Sequence, residues 1–134
     1  MAMEGIIMTL AEIDEYILGH YDAESGHSFE TDRSVTVYSR SDNRKWFAAT
    51  KNIGCRYLGV EREGRIDILN VKLAPPMVRS LRNREGFMPA WKMNQNGWVT
   101  VLLDGSVADE ELKDLLDQAF RVVGAKGGRS GRRA

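Results

Sequence analysis

A chain of 134 residues, 43% hydrophobic and 28% charged, can bury one core of ordinary size, and no stretch reads as a linker between two domains. Nineteen basic residues balance nineteen acidic ones. No apolar run approaches the roughly 18 residues of a membrane-spanning helix, and Met1–Leu10 lacks the basic start and long apolar stretch of a secretion signal, so a cytoplasmic protein with no membrane partner is expected. Cys55 is the one cysteine. It excludes an internal disulfide, argues against a cysteine-based zinc site, and reads as a small semi-buried hydrophobe.

Thr9-Leu10-Ala11-Glu12 matches a capping box, with Met8 and Ile13 as its hydrophobic staple. Leu10, Ile13, Ile17 and Tyr21 follow on one face, which predicts a first helix over about residues 10–23. Two hairpins come next, Val35–Arg40 with Lys45–Lys51 around Ser41-Asp42-Asn43, and Arg56–Glu61 with Arg65–Leu73 around a loop ending at Gly64. Pro75 and Pro76 cannot lie inside a ladder but suit a helix start, which places a second helix near 75–84 with Met77, Val78 and Leu81 inward.

The stretch Gly86–Gly124 is the most informative in the chain. Phe87–Met93 reads as a strand with Pro89 near its start, where a missing N–H does little harm. Asn96-Gly97 accepts positive φ and marks a tight hairpin. After it, Val99, Val101 and Leu103 alternate with Trp98, Thr100 and Leu102 at the period of a strand. Leu112, Leu115, Leu116, Ala119, Phe120 and Val123 recur at spacings of three and four, the stripe of a third helix over about 107–123. Ser106 can cap that helix, Asp109, Glu110 and Glu111 complement its dipole, and Gly124 supplies a left-handed stop. A single domain over 1–124 is expected, followed by a disordered basic tail over 125–134, too rich in Gly and Arg to pack.

These elements, taken in order, resemble the MmcQ/YjbR-like family. The likeness is carried by Lys45-Trp46-Phe47-Ala48, Asp67–Leu73, the Pro75-Pro76 helix start, Met88-Pro89-Ala90-Trp91-Lys92-Met93-Asn94, Trp98-Val99-Thr100-Val101 and Gly105–Val123, and it spans about residues 35–123. The resemblance implies a two-layer α+β domain, α-β(3-4)-α-β(2)-α, similar to secretion chaperones. Its antiparallel sheet would have about five or six strands, with helices packed on one face. It also implies a double-wing arrangement proposed to bind DNA, with no agreed reaction. Gln95 stands where the family commonly has a lysine, and Ala119-Phe120 where it has a Ser-Tyr pair.

Independent of family, the charge is segregated. Residues 1–32 hold eight Asp/Glu and no Lys/Arg, whereas residues 33–94 hold thirteen Lys/Arg and five Asp/Glu. Residues 95–125 return to acidic with six against two, and residues 126–134 carry four cations. Helices one and three would therefore present an acidic outer surface. Arg44, Lys45, Arg62, Arg79, Arg82, Arg84 and Lys92 would offer a basic surface of sheet, loops and second helix to a polyanion such as DNA. Tyr38, Trp46, Tyr57 and Trp91 interleave with that segment and could stack bases, although aromatics in strands also serve as plain core, the expected place of Trp46 and Trp98.

Catalysis is not expected. His20, Glu24 and His27 would share a face only on a continuous helix, which Ser25-Gly26 breaks, so neither a metal nor another cofactor is implied. Gly54, Gly59 and Gly64 lack the context of a phosphate loop, and Cys55 has no assured histidine partner. The expectation is a non-enzymatic DNA-binding module. The alternative is a chaperone-like module that docks a protein partner or a second copy of itself.

Overall fold

The computed structural model describes residues 7–27 and 34–124. The capping box forms as read: Thr9 N–H donates to Glu12 Oε1 at 3.0 Å and Glu12 N–H to Thr9 Oγ1 at 3.1 Å. It opens helix α1, Leu10–His20, whose Ile13 and Ile17 are fully buried. The helix stops three residues short of the expected end, because Tyr21 is already extended and leads into a strand, β1 (Ala23–Gly26). Ala-Glu-Ser-Gly has little strand propensity, so β1 left no mark in the sequence. It exists by pairing with β2 (Thr36–Arg40) at the sheet edge.

Strand β3 (Trp46–Gly54) pairs with β2 on one side and β4 (Arg65–Lys72) on the other. The second expected hairpin is thereby corrected. Residues 56–61 are not a strand, since β3 itself is the partner of β4 and residues 55–64 are left as the connection. There Cys55–Leu58 winds into a 3-10 turn, fully buried at Cys55, and Gly59 reverses the chain at φ 78. Helix α2 (Pro75–Leu81) begins on the two prolines, buries Val78 and Leu81, and ends short of residue 84.

Strand β5 is only Phe87–Pro89, and β6 is Trp98–Leu102. The expected strand to Met93 breaks at Pro89 because the backbone of Trp91 is claimed from the sheet interior. Trp91 N–H donates to Thr100 Oγ1 at 2.9 Å and its carbonyl accepts from Asn70 Nδ2 at 3.0 Å. Asn96-Gly97 accordingly forms no tight hairpin, neither residue having a positive φ; the turn is a longer segment, residues 90–97. Helix α3, Asp109–Gly124, starts later than expected because Ser106 folds back on the Asp104 carboxylate. Gly124 is not a left-handed stop, since it is itself helical with φ outside that region. The expected tail over 125–134 lies outside the described residues.

The result is one six-stranded antiparallel sheet, order β1-β2-β3-β4-β6-β5, in the sequence order α-β4-α-β2-α. Among the described residues α1, α2 and α3 pack on one face, where the main core joins Ile13, Ile17, Phe47, Leu69, Val99, Leu115 and Leu116. The period-two alternation sends Ile53, Ile66, Ile68 and Leu102 to the opposite, helix-free face, together with Val35, Val37 and Ala49. There the 3-10 turn and the 90–97 segment form a partial cover, and Trp91 packs against both small clusters. Among the described residues no helix is long and apolar enough to cross a membrane.

Candidate functional site

The seven candidate cations fall on four separate segments. Arg44 and Lys45 occupy the β2–β3 turn, exposed, with Arg44 at φ 63 and its N–H bonded to the Arg40 carbonyl at 2.8 Å. Arg62 lies in the β3–β4 connection, at the other end of the sheet, and pairs with Asp104 at 3.2 Å. Burial alone would raise the Asp104 carboxyl, but hydrogen bonds from Ser106 and Arg62 hold it below the usual carboxylate range. Arg84 grips Glu111 with two bonds of 2.8 and 2.9 Å, which lowers the Glu111 carboxyl and raises the guanidinium. Arg82 is half-buried and donates to the Gln95 carbonyl at 3.2 Å.

Arg79 is exposed on α2, and Lys92 is exposed at φ 59 in the 90–97 segment. The basic set offered by sheet, loops and second helix is therefore spread over separate parts of the surface. Three of its members are tied to the protein's own acids or carbonyls, and two ends of the sheet separate others. Tyr38 is no stacking candidate either, being buried with its hydroxyl on Asp14 Oδ1 at 2.7 Å. Trp98 is buried as expected, while Trp46 is half-buried at the helix-free face.

What the fold does assemble is a groove of about 270 Å³ on the helix-free side. One bank is Tyr57 and Leu58 of the 3-10 turn; the other is Met88 through Lys92, with Gln95. Cys55 anchors the first bank from below. Tyr57 is 69% exposed, and its ring lies across Gly54, where a Cβ would sit 3.2 Å from Cδ2 and 3.3 Å from Cε2. Gly54 is thus needed for close approach.

The second bank is held by the buried pair Asn70 and Thr100, which bond each other as well as the Trp91 backbone. Their placement in adjacent central strands at directly opposed positions makes the clamp rigid. Two lysines attend the indole, Lys51 Nζ at 5.6 Å from the ring centroid and Lys92 Nζ at 5.2 Å, and Arg56 Cζ lies 5.7 Å from the Tyr57 ring. Among the described residues no carboxylate lines the groove. Lys51 and Arg56 were not singled out in the sequence, because a lone cation within a strand or turn carries no local signature. What identifies them is the strand pairing and the 3-10 turn that bring them to aromatic rings.

The opposite side of the molecule has reversed character. A shallower depression of about 420 Å³ between α1 and the start of α3 is lined by Glu12, Glu15 and Asp109 beside Tyr16, His20 and Lys113. His20 stacks on Tyr16 at 4.0 Å and its Nδ1 is 3.0 Å from the Tyr16 carbonyl, while His27 Nδ1 is 3.0 Å from the Val35 carbonyl. Among the described residues no three His, Cys, Asp or Glu side chains are placed to hold a metal ion.

The sequence model of the family described as YjbR matches residues 18–122. "Uncharacterized protein YyaQ" of Bacillus subtilis is 26% identical over 117 residues, covering 87% of this chain and 99% of that one. A crystal structure of a Pseudomonas syringae protein from a structural genomics consortium superposes with a TM-score of 0.80 at 32% identity, over 86% of this chain and 98% of that one. A solution NMR structure of the same target gives 0.78 at 30% identity, over 93% and 100%.

Proposed function

The chain belongs to the YjbR family, and from that premise we propose that it is a non-enzymatic nucleic-acid-binding module whose contact surface is the helix-free side of the sheet. The observation that carries this reading is Lys92 beside Trp91 and Arg56 beside Tyr57, at a groove that no carboxylate among the described residues lines. Cations supply affinity for phosphates by releasing counterions, and aromatic rings supply contact with bases. The acids of α1 and α3 lie on the other face, where they repel a polyanion and leave one orientation for docking. Arg44, Lys45 and Arg79, exposed elsewhere, add general attraction and no geometry.

The test uses the full chain with Lys126, Arg129, Arg132 and Arg133 changed to Gln, so that tail charges do not bind on their own. Affinity for DNA is measured against salt by fluorescence anisotropy. Replacing Arg56 and Lys92 with Gln should flatten the log–log slope by about 0.9 for each duplex phosphate contact, or about 0.7 for a single strand. Replacing Arg62 and Arg84, which already hold Asp104 and Glu111, should leave it unchanged. Absence of binding to any DNA or RNA at low salt would overturn the reading. The protein-interaction alternative would then stand, favoured by the exposed apolar Leu18 on α1 and Val122 on α3.

A further inference from the structure

Resting on that nucleic-acid reading, we infer that the groove between Tyr57 and Trp91 is a stacking subsite for an unpaired base, so that the substrate class is single-stranded nucleic acid rather than duplex. Tyr57 has the greatest exposure of the large apolar side chains described, 69% against 43% for Ile7 and 42% for Leu18. Leaving so much ring in water forgoes burial that a tyrosine usually obtains. One side of the ring nevertheless rests against Gly54, and the 3-10 turn that carries it is anchored by the fully buried Cys55. A ring seated on backbone with its outer side open to solvent is a platform.

Across the groove, Trp91 is immobilised by a different device, the buried Asn70–Thr100 pair holding both polar groups of its backbone. Buried polar side chains in a sheet interior are costly unless satisfied, and this pair is satisfied by positioning one residue of the covering segment. At about 270 Å³ the groove falls below the range of roughly 300–1,000 Å³ usual for whole small-molecule sites, and suits one planar ring. Gln95 adds an amide at its rim.

The surrounding charge selects what carries that ring. Lys92 Nζ stands 5.2 Å from the Trp91 centroid and Arg56 Cζ 5.7 Å from the Tyr57 centroid, and among the described residues no acid lines the groove. A planar group on an anionic backbone meets both demands. In a duplex the base faces are already stacked and out of reach, whereas a single strand presents them freely. Base stacking is tolerant of sequence, so the subsite favours unpaired strands without a strong base preference.

The experiment compares an oligothymidylate of about 12 nucleotides, within the usual site size of single-strand binders, with a dA·dT duplex of the same length. Both are titrated against the full chain carrying the four tail substitutions. The expected result is tighter binding of the single strand. Tyr57→Ala should weaken it about 5- to 150-fold, the range of one stacked base, with an unchanged salt slope, while Tyr57→Phe retains binding. Tyr57 is exposed enough that neither change endangers folding. Equal binding of both forms, or indifference of the single strand to Tyr57→Ala, overturns the stacking subsite and leaves the nucleic-acid reading intact. Failure of both forms to bind overturns the two together, and binding of an acidic, aromatic peptide in their place would identify the groove as a protein-docking site.

Discussion

Gly124→Ala should destabilise the protein, and should cease to do so once Arg40 is removed. Arg40 is 5% exposed and runs under the end of α3. Its Nη1 donates to the Phe120 carbonyl at 2.8 Å, its Nε and Nη2 to Asp42 at 2.9 and 2.8 Å, and its guanidinium lies 4.0 Å from the Phe120 ring centroid. Gly124 permits this. A Cβ there would stand 2.4 Å from both Cζ and Nη1 of Arg40, about 1 Å inside ordinary contact.

Expelling the guanidinium forfeits a hydrogen bond from a charged donor, about 1.5–3 kcal/mol, and a cation–π contact of about 0.5–1 kcal/mol. The Asp42 pair adds little, because Asp42 is largely in solvent. Against this, Ala is favoured over Gly in a helix by about 0.5–1 kcal/mol. The net cost in the wild-type background is therefore about 1–3 kcal/mol. In an Arg40→Ala background the space is empty and the same substitution should be neutral or stabilising by up to about 1 kcal/mol.

Urea unfolding of the four proteins of the cycle reads the coupling directly, expected at about 2–4 kcal/mol. A coupling below about 0.5 kcal/mol, the range of independent sites, would refute the clamp.

Two further predictions follow from the core and its buried hydroxyls. Leu116, fully buried at the centre of the α3 stripe, should cost about 2–5 kcal/mol on change to Ala, whereas a thermal melt showing a loss below about 0.5 kcal/mol would reject that face as core. Tyr21 and Tyr38 have pKa values raised above 10.0, first by burial and then by hydrogen bonds to Asp117 and Asp14. Their stabilisation is present below pH about 10, the unfolded value, and is lost as pH rises above it. The Tyr21→Phe, Tyr38→Phe double variant should be less stable at neutral pH but lose less on going to about pH 11, read from urea midpoints. An identical alkaline loss in both proteins would contradict the assignment.

Much of the fold was legible because it follows from local chemistry. The Thr9–Glu12 capping box, the Pro75-Pro76 start of α2 and the α3 stripe each satisfy their own backbone groups and bury one periodic face, whatever else the chain does. The errors came where a distant partner overrode a local preference. Arg56–Glu61 reads as a strand, but β3 had already taken β4, and Phe87–Met93 loses its strand at Pro89 because Asn70 and Thr100 capture Trp91. Of the seven cations read from charge segregation, Arg62, Arg82 and Arg84 are bound within the protein, since composition counts charges but not the acids that fold against them.

By itself, then, the sequence determined the α+β class, the family likeness and the acidic character of α1 and α3, all properties of short-range pattern and composition. Only the tertiary structure decided which aromatics face solvent and which cations stand beside them. Tyr38 and Tyr57 are equivalent in a strand-rich basic segment, yet one is buried against Asp14 and the other lies exposed over Gly54. The difference arises because side-chain direction depends on register and on the turn that ends a strand, and both are set by contacts between residues far apart in the chain.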